Sequence, residues 1–519
     1  MTIAVSPFWI GSQRAGRALA LLVVSVLLVA ALGAAVDLGS GSSARPAAAG
    51  DAVQGAGRAP VKVVVQARGA GAQAAAAAVG QAGGQVTRDL PIVEGVAATV
   101  PAGAVASLSS TPGLIVTPDR QVTVQGGGTS TSADSKFRKV TGADDLNAAG
   151  HTGAGVTVAL IDTGVSSVPD LVGKLLSVRD DVTGAMKDCV NLSGEPGCND
   201  SYGHGTFMAG IIAGSGANSG GTYQGMAPGA RIVSVKIAGK DGAADVSTVL
   251  AAVQWVVSFR EQYGIKVLNL SLGTDSTQSY RVDPLNYAVE RAWDSGIAVV
   301  VAAANLGPGA GTVSKPGDDP FVITVGAIDD RGTPGLGDDH LPNFSSRGPT
   351  AADGLTKPDI VAPGAHIVSL DAPGSTIATN VPTAMTAGYR KGNGTSMAAA
   401  VTSGAAALLL DADPSMTPDR LKYALTATAG PTASEDPNEV GAGVLQAADA
   451  LSAPAGVANQ GLERSNGMGS LDASRGTVRV RTVTTDGLLG TVLGTVISGS
   501  YTAQLLLWDP IGFTTGIWA

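Results

Sequence analysis

Polar side chains stand at three places in this sequence where acyl-transfer chemistry is possible. Asp162 ends a β-branched run at 156–161 and is followed by Thr and Gly. His204 lies between two glycines ahead of an apolar segment, and Ser396 opens the apolar stretch 397–410. Acyl transfer by a serine needs a nucleophile, a base that takes its proton and an acid that orients the base. The three residue types supply one of each.

A fourth polar residue, Asn305, directly follows the apolar run 299–304. Its side-chain amide could donate a hydrogen bond to a developing oxyanion. Ser396 could contribute a second donor, because a backbone N–H at the start of a buried helix is favourable for negative charge. We therefore expect Asn305 and the Ser396 N–H to form an oxyanion hole.

Each of these residues also has a structural interpretation. Asp162 and Asn305 are ordinary turn residues, Ser396 is an ordinary N-cap, and a single His204 is often only structural or solvated. Their shared placement at strand ends and helix starts, in the order Asp, His, Ser, favours catalysis over the structural interpretations.

The elements that must position them have the pattern of an α/β fold. Several apolar β-branched runs lack alternation, so we expect them to be buried on both faces of a parallel sheet. Helical segments at 246–259 and 286–293 lie between them, which predicts a doubly wound parallel sheet with its ligands beyond the carboxyl ends of the strands. The predicted strands are 156–161, 231–237, 266–271, 297–303 and 322–325.

The motifs DTG, GHGT and GTSMA around Asp162, His204 and Ser396 resemble those of the subtilisin-like serine proteases. Further matches, such as NFSSRGP at 343–349, extend the resemblance over about 136–451. It implies a subtilisin-like serine endopeptidase with Asp162, His204 and Ser396 as its triad and polypeptides as substrates. Ser271, Leu272 and Gly273 are then expected to give an extended edge that pairs with the substrate main chain.

Residues 60–125 predict a small α+β domain. The order strand, helix, strand, strand, helix, strand is the split βαβ, or ferredoxin-like, arrangement. The segment also resembles the inhibitory propeptide of secreted subtilases, which implies that it acts as an intramolecular inhibitor of its own enzyme. We place the activation linker at 126–135 and the cut in the Gly/Ser/Thr connector 125–132, since such connectors are readily nicked.

Two positions depart from the family pattern. Ala304 stands where the family usually has Gly before the asparagine, and an Ala there should take a negative φ unless it is strained. Ala400 stands where Pro is usual, and we expect no chemical consequence, since Ala is the better helix former.

No cofactor is required by the predicted chemistry, and we assign no metal ligand. Asp170 matches a position that binds calcium in some relatives, so a structural calcium is possible there. The partner loop 214–223 is rich in glycine and has few oxygen side chains, which argues against a calcium ion there.

Cys189 and Cys198 are the two cysteines. In an exported chain we expect them to pair, and two free thiols are the alternative.

Arg14 and Arg17 precede an apolar run at 18–36. This pattern predicts export, with residues 1–36 as a cleaved signal peptide or a retained N-terminal anchor. The chain is then secreted, or alternatively anchored to the membrane and facing outside. The polar segment 37–59 is expected to be a linker.

The composition excludes some classes of protein. Hydrophobic residues make up 44% of the 519 residues, enough for more than one core. The net charge of −9 does not indicate the basic surface that a nucleic-acid-binding protein needs. Two rivals to an enzyme remain: an inactive scaffold that binds peptides along the same cleft, and a structural protein of the cell surface. The role of the C-terminal extension, 452–519, is not indicated by its pattern, and neither is the cleavage preference.

Overall fold

The protein is represented by a computed structural model. It divides into two compact units between Arg120 and Gln121. The predicted signal or anchor, the linker 37–59, the connector 125–132 and the C-terminal residues 477–519 lie outside the described residues. The structure describes residues 60–67, 70–90, 95–118, 133–179, 185–244, 246–381, 385, 388–474 and 476.

The first unit has the predicted order of strands and helices. Its four strands form an antiparallel sheet in the order β2-β3-β1-β4, which is the ferredoxin-like arrangement. Alternate valines of β1 and β3, such as Val63, Val65 and Val96, are fully buried against Val79 of the first helix. The elements are β1 (Val61–Ala67), α1 (Gly71–Gln81), β2 (Gln85–Leu90), β3 (Gly95–Val100), α2 (Ala104–Ser109) and β4 (Leu114–Pro118).

The second unit holds a seven-stranded parallel sheet and two short hairpins. Its strands are β5 (Thr157–Asp162), β6 (Val178–Arg179), β7 (Met186–Lys187), β8 (Val190–Asn191), β9 (Arg231–Lys236), β10 (Ile265–Leu270), β11 (Ala298–Ala302), β12 (Ile323–Ile328), β13 (Ile360–Pro363), β14 (Ile367–Leu370) and β15 (Tyr389–Gly392). Its helices are α3 (Phe137–Val140), α4 (Ala143–Ala148), α5 (His204–Ala213), α6 (Val246–Tyr263), α7 (Pro284–Asp294), α8 (Thr376–Asn380), α9 (Thr395–Ala412), α10 (Pro418–Ala427), α11 (Pro437–Val440), α12 (Ala447–Ala450) and α13 (Leu471–Ser474).

The order of the large sheet shows where the candidate residues are placed. It reads β13-β12-β11-β10-β5-β9-β8, and every pair in it is parallel. The chain starts at β5, passes to the edge strand β8, returns to β9 beside β5 and then crosses to β10 on the other side. The order therefore reverses between β5 and β10, and the crevice beyond their carboxyl ends is the expected ligand site of a doubly wound sheet.

Helix α9 packs against β10, β11, β12 and β13 and also against α5. Among the described residues it is the one helix long and apolar enough to cross a membrane, and 89% of it is buried inside the protein. Its all-round apolar surface is thus explained by burial in the core, as is usual for a helix enclosed by other elements. Ser396 at its start is carried on a rigid element.

The described part of the C-terminal extension packs on the second unit. Arg420 of α10 donates to the carbonyl oxygens of Ala453 and Pro454 at 2.8 and 2.6 Å. Ser465 and Ser474, farther along, are both buried. Residues 452–474 therefore continue the peptidase unit past the predicted boundary at residue 451.

Candidate active site

Asp162 is the last residue of β5, a strand that is buried along its whole length. The strand lies between β9 and β10, so its final side chain meets the crevice at the point where the strand order reverses. The carboxylate is itself buried, and its Oδ1 accepts a 2.7 Å hydrogen bond from the Thr163 N–H. A strand end with a backbone donor thus holds the acid in one orientation.

His204 is the first residue of α5 and contacts Asp162 directly. Its Nδ1 lies 2.9 Å from each carboxylate oxygen of Asp162. Glycines permit this approach: Gly203 has φ 114, and a Cβ on Gly205 would lie 2.1 Å from the Gly164 carbonyl oxygen. The glycines of the two motifs are therefore needed because the helix start and the strand end touch backbone to backbone.

Asp200 is a buried carboxylate that we did not identify from the sequence. It holds the residue after Asp162 and the start of helix α5 together. Its Oδ1 accepts from the Thr163 hydroxyl and the Gly203 N–H at 2.7 Å each, and its Oδ2 accepts from the Thr206 N–H at 2.8 Å. Burial raises the pKa of Asp200 against the opposing effect of these donors. The available signal was an Asp just ahead of a helix start, a pattern that ordinarily predicts only a cap.

Ser396 is the second residue of α9 and is tied to the end of β10. Its hydroxyl lies 3.5 Å from the Ser271 carbonyl oxygen, at the outer limit of a hydrogen bond. The Ser271 hydroxyl donates in turn to the Ser396 carbonyl oxygen at 3.2 Å, and the Asn269 amide donates to Ser271 Oγ at 2.9 Å. Ser403 closes the network by donating to Asn269 Oδ1 at 2.9 Å. This buried polar network joins the nucleophile's helix to the neighbouring strand.

Asn305 follows β11 and is held by Thr395, the first residue of α9. Its Oδ1 accepts from the Thr395 N–H at 2.9 Å and lies 3.1 Å from the Thr395 hydroxyl. Because the oxygen of the carboxamide is engaged there, the amide nitrogen is left on the opposite side as a donor. The side chain is half-buried. The structure therefore places an oriented amide next to the residue that precedes Ser396.

Ala304 does not take the negative φ that we expected. Its φ is 96, in the left-handed region that favours glycine. Its N–H donates to Thr395 Oγ1 at 3.1 Å, and its carbonyl accepts from the Ser346 N–H at 3.0 Å. The neighbouring hydrogen bonds thus impose the backbone conformation that the family achieves with Gly, and the strain remains in the protein.

The predicted substrate edge, Ser271 to Gly273, extends from the end of β10. Ser271 and Leu272 are buried at 0% and 2% exposure, and the Ser271 side chain is used internally, as described above. A Cβ on Gly273 would lie 2.2 Å from the Ser314 hydroxyl, so the edge packs closely on a neighbouring segment. Thr274 then bridges antiparallel to Lys315. A role in binding substrate rests with the backbone of these residues and stays a prediction.

Cys189 and Cys198 form a disulfide with a Cα–Cα distance of 5.5 Å. The loop that they close leads directly to Asp200. A Cβ on Gly164 would lie 2.8 Å from the Cys198 carbonyl oxygen, so the loop also packs on the turn that follows Asp162. The disulfide therefore closes a loop that borders the acid of the site.

Asp170 is hydrogen-bonded within the protein. Its Oδ1 accepts from the Tyr389 hydroxyl at 2.6 Å, and its Oδ2 accepts from the Asn218 N–H at 3.2 Å. Calcium needs six to eight oxygen ligands, and a calcium ion at this position stays a prediction. The part of the chain that the structure describes contains no cluster of three acidic, histidine or cysteine side chains that could hold a metal.

A doubly wound parallel sheet with an Asp–His pair and a helix-borne serine at its carboxyl edge is the arrangement expected of a serine protease. The model of the subtilase family matches residues 153–469, more than half of the sequence, and the chain belongs to that family. It is a subtilisin-like serine endopeptidase, as the sequence resemblance implied.

The chain is also similar to two individual bacterial proteases and to one solved structure. The chain is similar to serine protease AprX of Bacillus subtilis (strain 168), with 41% identity over 306 residues, 58% of this chain and 67% of the relative. It is 35% identical to subtilisin Savinase of Lederbergia lenta over 298 residues, 57% of this chain and 91% of the relative. Among solved structures, sphericase matches with a TM-score of 0.47 and 26% identity, covering 57% of this chain and 92% of that one.

Proposed function

We propose that this chain hydrolyses peptide bonds through an acyl-enzyme formed on Ser396, with His204 as the base and Asp162 as its orienting acid. One observation supports the assignment most: His204 Nδ1 lies 2.9 Å from both oxygens of the Asp162 carboxylate. This contact keeps the proton on Nδ1 and leaves Nε2 as the basic nitrogen of the ring.

The reaction then follows in two acyl transfers. Ser396 Oγ bonds to the scissile carbonyl carbon as its proton passes to His204 Nε2. The carbon–nitrogen bond breaks, and His204 returns the proton to the leaving amine. Water repeats the attack on the ester, and His204 again carries the proton. Asp162 stabilises the imidazolium at each stage without becoming protonated itself.

The negative charge on the carbonyl oxygen would be held by two donors. Asn305 supplies its amide nitrogen, since its oxygen is occupied by Thr395. The Ser396 N–H lies in the first turn of α9, where backbone donors have no partner within the helix. Donors fixed in this way need no reorganisation as the charge develops, and this accounts for much of their effect.

Polypeptides are the proposed substrates. A backbone edge at Ser271 to Gly273 can bind a peptide by main-chain pairing, whereas the substrate's side chains reach the enzyme only through pockets. Such an edge accepts many sequences, which favours a broad endopeptidase.

We further propose that the enzyme is made as a secreted, self-processed zymogen. The first unit, β1 to β4, has the fold expected for the inhibitory propeptide, and the polar connector 125–132 follows it in sequence. An apolar run at 18–36 after Arg14 and Arg17 supports export. The proposed partner of the mature enzyme, besides its substrates, is thus its own propeptide.

The test is to express the chain from Met1 together with its Ser396→Ala variant and to compare their masses. Self-processing predicts that the wild type loses the segment before about residue 130, whereas Ser396→Ala stays joined there. Ser415→Ala, at an exposed position, is the matched control and should process like the wild type. If Ser396→Ala is cut at the same place, processing does not depend on the proposed nucleophile. N-terminal sequencing of the uncut Ser396→Ala chain distinguishes a cleaved signal from a retained anchor.

A further inference from the structure

The described end of the C-terminal extension runs along a loop that begins at the predicted substrate edge. We call residues 459–474 and 476 the strap, and residues 274–283 the edge loop. The edge loop connects Gly273 to helix α7. Both segments belong to the second unit. What the strap does to the edge loop therefore bears on the site.

The two segments are joined by backbone hydrogen bonds. The Asn466 N–H donates to the Arg281 carbonyl at 2.8 Å, and the Gly469 N–H donates to the Val282 carbonyl at 2.6 Å. The carboxamide of Gln278 accepts from the Ser470 N–H at 2.9 Å and donates to the Ser470 carbonyl at 3.2 Å. The strap thus runs alongside the edge loop. It is joined to the loop by backbone hydrogen bonds and by the side-chain amide of Gln278, which pairs with the backbone of Ser470.

The tightest contacts lie beside the substrate edge. Thr274, the residue after Gly273, donates from its hydroxyl to the Ser474 carbonyl at 2.5 Å. The Ser474 hydroxyl donates to Asp283 Oδ2 at 2.8 Å, and Asp283 also caps α7 through the Leu285 N–H at 2.8 Å. Thr274, Asp283 and Ser474 are all buried. The strap therefore fixes both ends of the edge loop.

Gly476 shows how closely the strap approaches the start of the edge loop. A Cβ on it would lie 2.1 Å from Asp275 Oδ1 and 2.6 Å from the Ser276 nitrogen, and its φ is +65. A second glycine of the strap, Gly461, has a φ of +73 with nothing within 4 Å of its Cβ position. The two glycines share a backbone conformation and differ in contact, so they form a matched pair.

We propose that the strap is a positioning element that preorganises the substrate edge for extended peptides. The proposal rests on the proposed role of Ser271 to Gly273 in pairing with substrate. A peptide that pairs with an edge must immobilise it, and an edge already held at Thr274 avoids that loss of entropy. A short substrate that reaches only the triad and the oxyanion hole does not use the edge. The strap should accordingly affect the KM for long substrates and leave short ones unchanged.

The test compares Gly476→Ala and Thr274→Val with Gly461→Ala and Thr274→Ser. The first pair disturbs the contact of strap and edge loop; Gly461→Ala repeats the backbone change without the contact, and Thr274→Ser keeps the hydroxyl donor. Each variant is titrated with a serine-reactive phosphonate, so that all rates refer to active enzyme. The ratio of kcat/KM for a long peptide anilide to kcat/KM for a single-residue ester is then measured.

We expect this ratio to fall about tenfold, through KM, in Gly476→Ala and Thr274→Val, the cost of ordering roughly one or two further side chains on binding. Gly461→Ala and Thr274→Ser should keep the wild-type ratio. A loss of active fraction at an unchanged ratio in both disturbed variants would show a merely structural role and overturn the proposal. If the wild type itself takes up no phosphonate, the proposed catalytic function fails first, and the strap proposal falls with it.

Discussion

Ala304 carries the most visible strain near the site. Its φ of 96 is imposed by hydrogen bonds to Thr395 and Ser346. An L-residue with a Cβ in this region is strained by about 1–2 kcal/mol, which glycine avoids. Part of the gain from glycine is offset, because the unfolded chain becomes more flexible and a buried methyl group is lost.

Ala304→Gly is therefore expected to raise the free energy of unfolding by roughly 0.5–1 kcal/mol. Denaturant unfolding in a Ser396→Ala background, which prevents self-digestion, measures it. Ala303→Gly is the control: its residue lacks the positive φ, and the same substitution should destabilise by about 1 kcal/mol. Equal destabilisation by both variants would show that Ala304 is not strained.

Asn305→Asp separates donation from positioning. The carboxylate keeps an oxygen for the Thr395 N–H, a contact of 2.9 Å in the wild type, but loses the amide donor. We expect kcat to fall by at least about 10²–10³ with little change in KM, because loss of such a donor costs this much in a subtilisin itself and the carboxylate also places negative charge beside the developing oxyanion. Steady-state kinetics with a peptide substrate checks the split. A rise in KM at an unchanged kcat would place Asn305 in substrate binding instead.

The proposed triad could be identified in the sequence because its residues stand in short contiguous motifs at element ends. The supporting residues were not, because their partners are remote in sequence. Ser403 reaches Asn269 across 134 positions, and Asp200 serves Thr163 from 37 positions away. Only the folded sheet brings such pairs together. The φ of Ala304 was missed for the same reason, since bonds from Thr395 and Ser346 decide it.

Among the elements, the central strands were predictable and the peripheral ones were not. The apolar run 297–303 became β11, Ala298–Ala302, because a parallel strand buried on both faces is apolar throughout. Strand β15, Tyr389–Gly392, contains Arg390 and Lys391, and both are buried. Their charges are paired with Asp371 at 2.7 Å and Asp134 at 2.8 Å. A sequence pattern cannot anticipate burial that depends on such distant partners.

Helix α7 and the loop between β11 and β12 contain two neighbouring buried carboxyl groups, Glu290 and Asp319. Glu290 accepts from the Ser465 N–H at 2.9 and 3.0 Å. Burial, followed by the nearby charge of Glu290, raises the pKa of Asp319 to about 8, while Lys357 acts in the opposite direction and Asp318 in the same one. Burial also raises the pKa of Glu290. The pair therefore retains a proton at neutral pH.

Asp319 thus makes stability depend on pH. Its folded pKa lies above the unfolded value of about 3.9, so the stabilising proton is fully present below about pH 4 and is lost as pH rises through about 8. Asp319→Asn should flatten the decline in unfolding free energy between about pH 4 and pH 8, measured by denaturant unfolding in a Ser396→Ala background. The exposed Asp145→Asn should leave the decline as it is. An unchanged slope in Asp319→Asn would contradict the assignment.

The hydrogen-bonded Asp170 gives an expectation about metals. If Tyr389 and the Asn218 N–H satisfy the carboxylate in place of a cation, a chelator should not lower the Tm of the wild type. Tyr389→Phe should cost about 1–3 kcal/mol, because it removes the donor to a buried carboxylate. Tyr287→Phe, at an exposed position, is the control. A Tm that falls with chelator and recovers with calcium would show a cation site that these contacts do not reveal.

At the scale of the whole molecule, two units of different topology stand in one chain. The second unit is built on a parallel sheet whose strands are distant in sequence, such as β5 and β10, and non-local contacts of this kind fold slowly. A propeptide that acts as a folding template would speed the formation of these non-local contacts. After self-processing, the folded enzyme would no longer need the propeptide. The first unit's antiparallel sheet, with local pairings such as β2 and β3, is suited to forming early.

The most direct test of the account is to identify the residue that a serine-reactive phosphonate modifies, and how fast, in the mature protein. The account predicts a single adduct on Ser396, found by peptide mass spectrometry. It also predicts labelling slower by about 10⁴ at neutral pH in Asp162→Asn whose propeptide has been removed by cleavage in trans, because the amide would favour the wrong tautomer of His204. An adduct on another serine, or labelling of Asp162→Asn at the wild-type rate, would contradict the proposed triad.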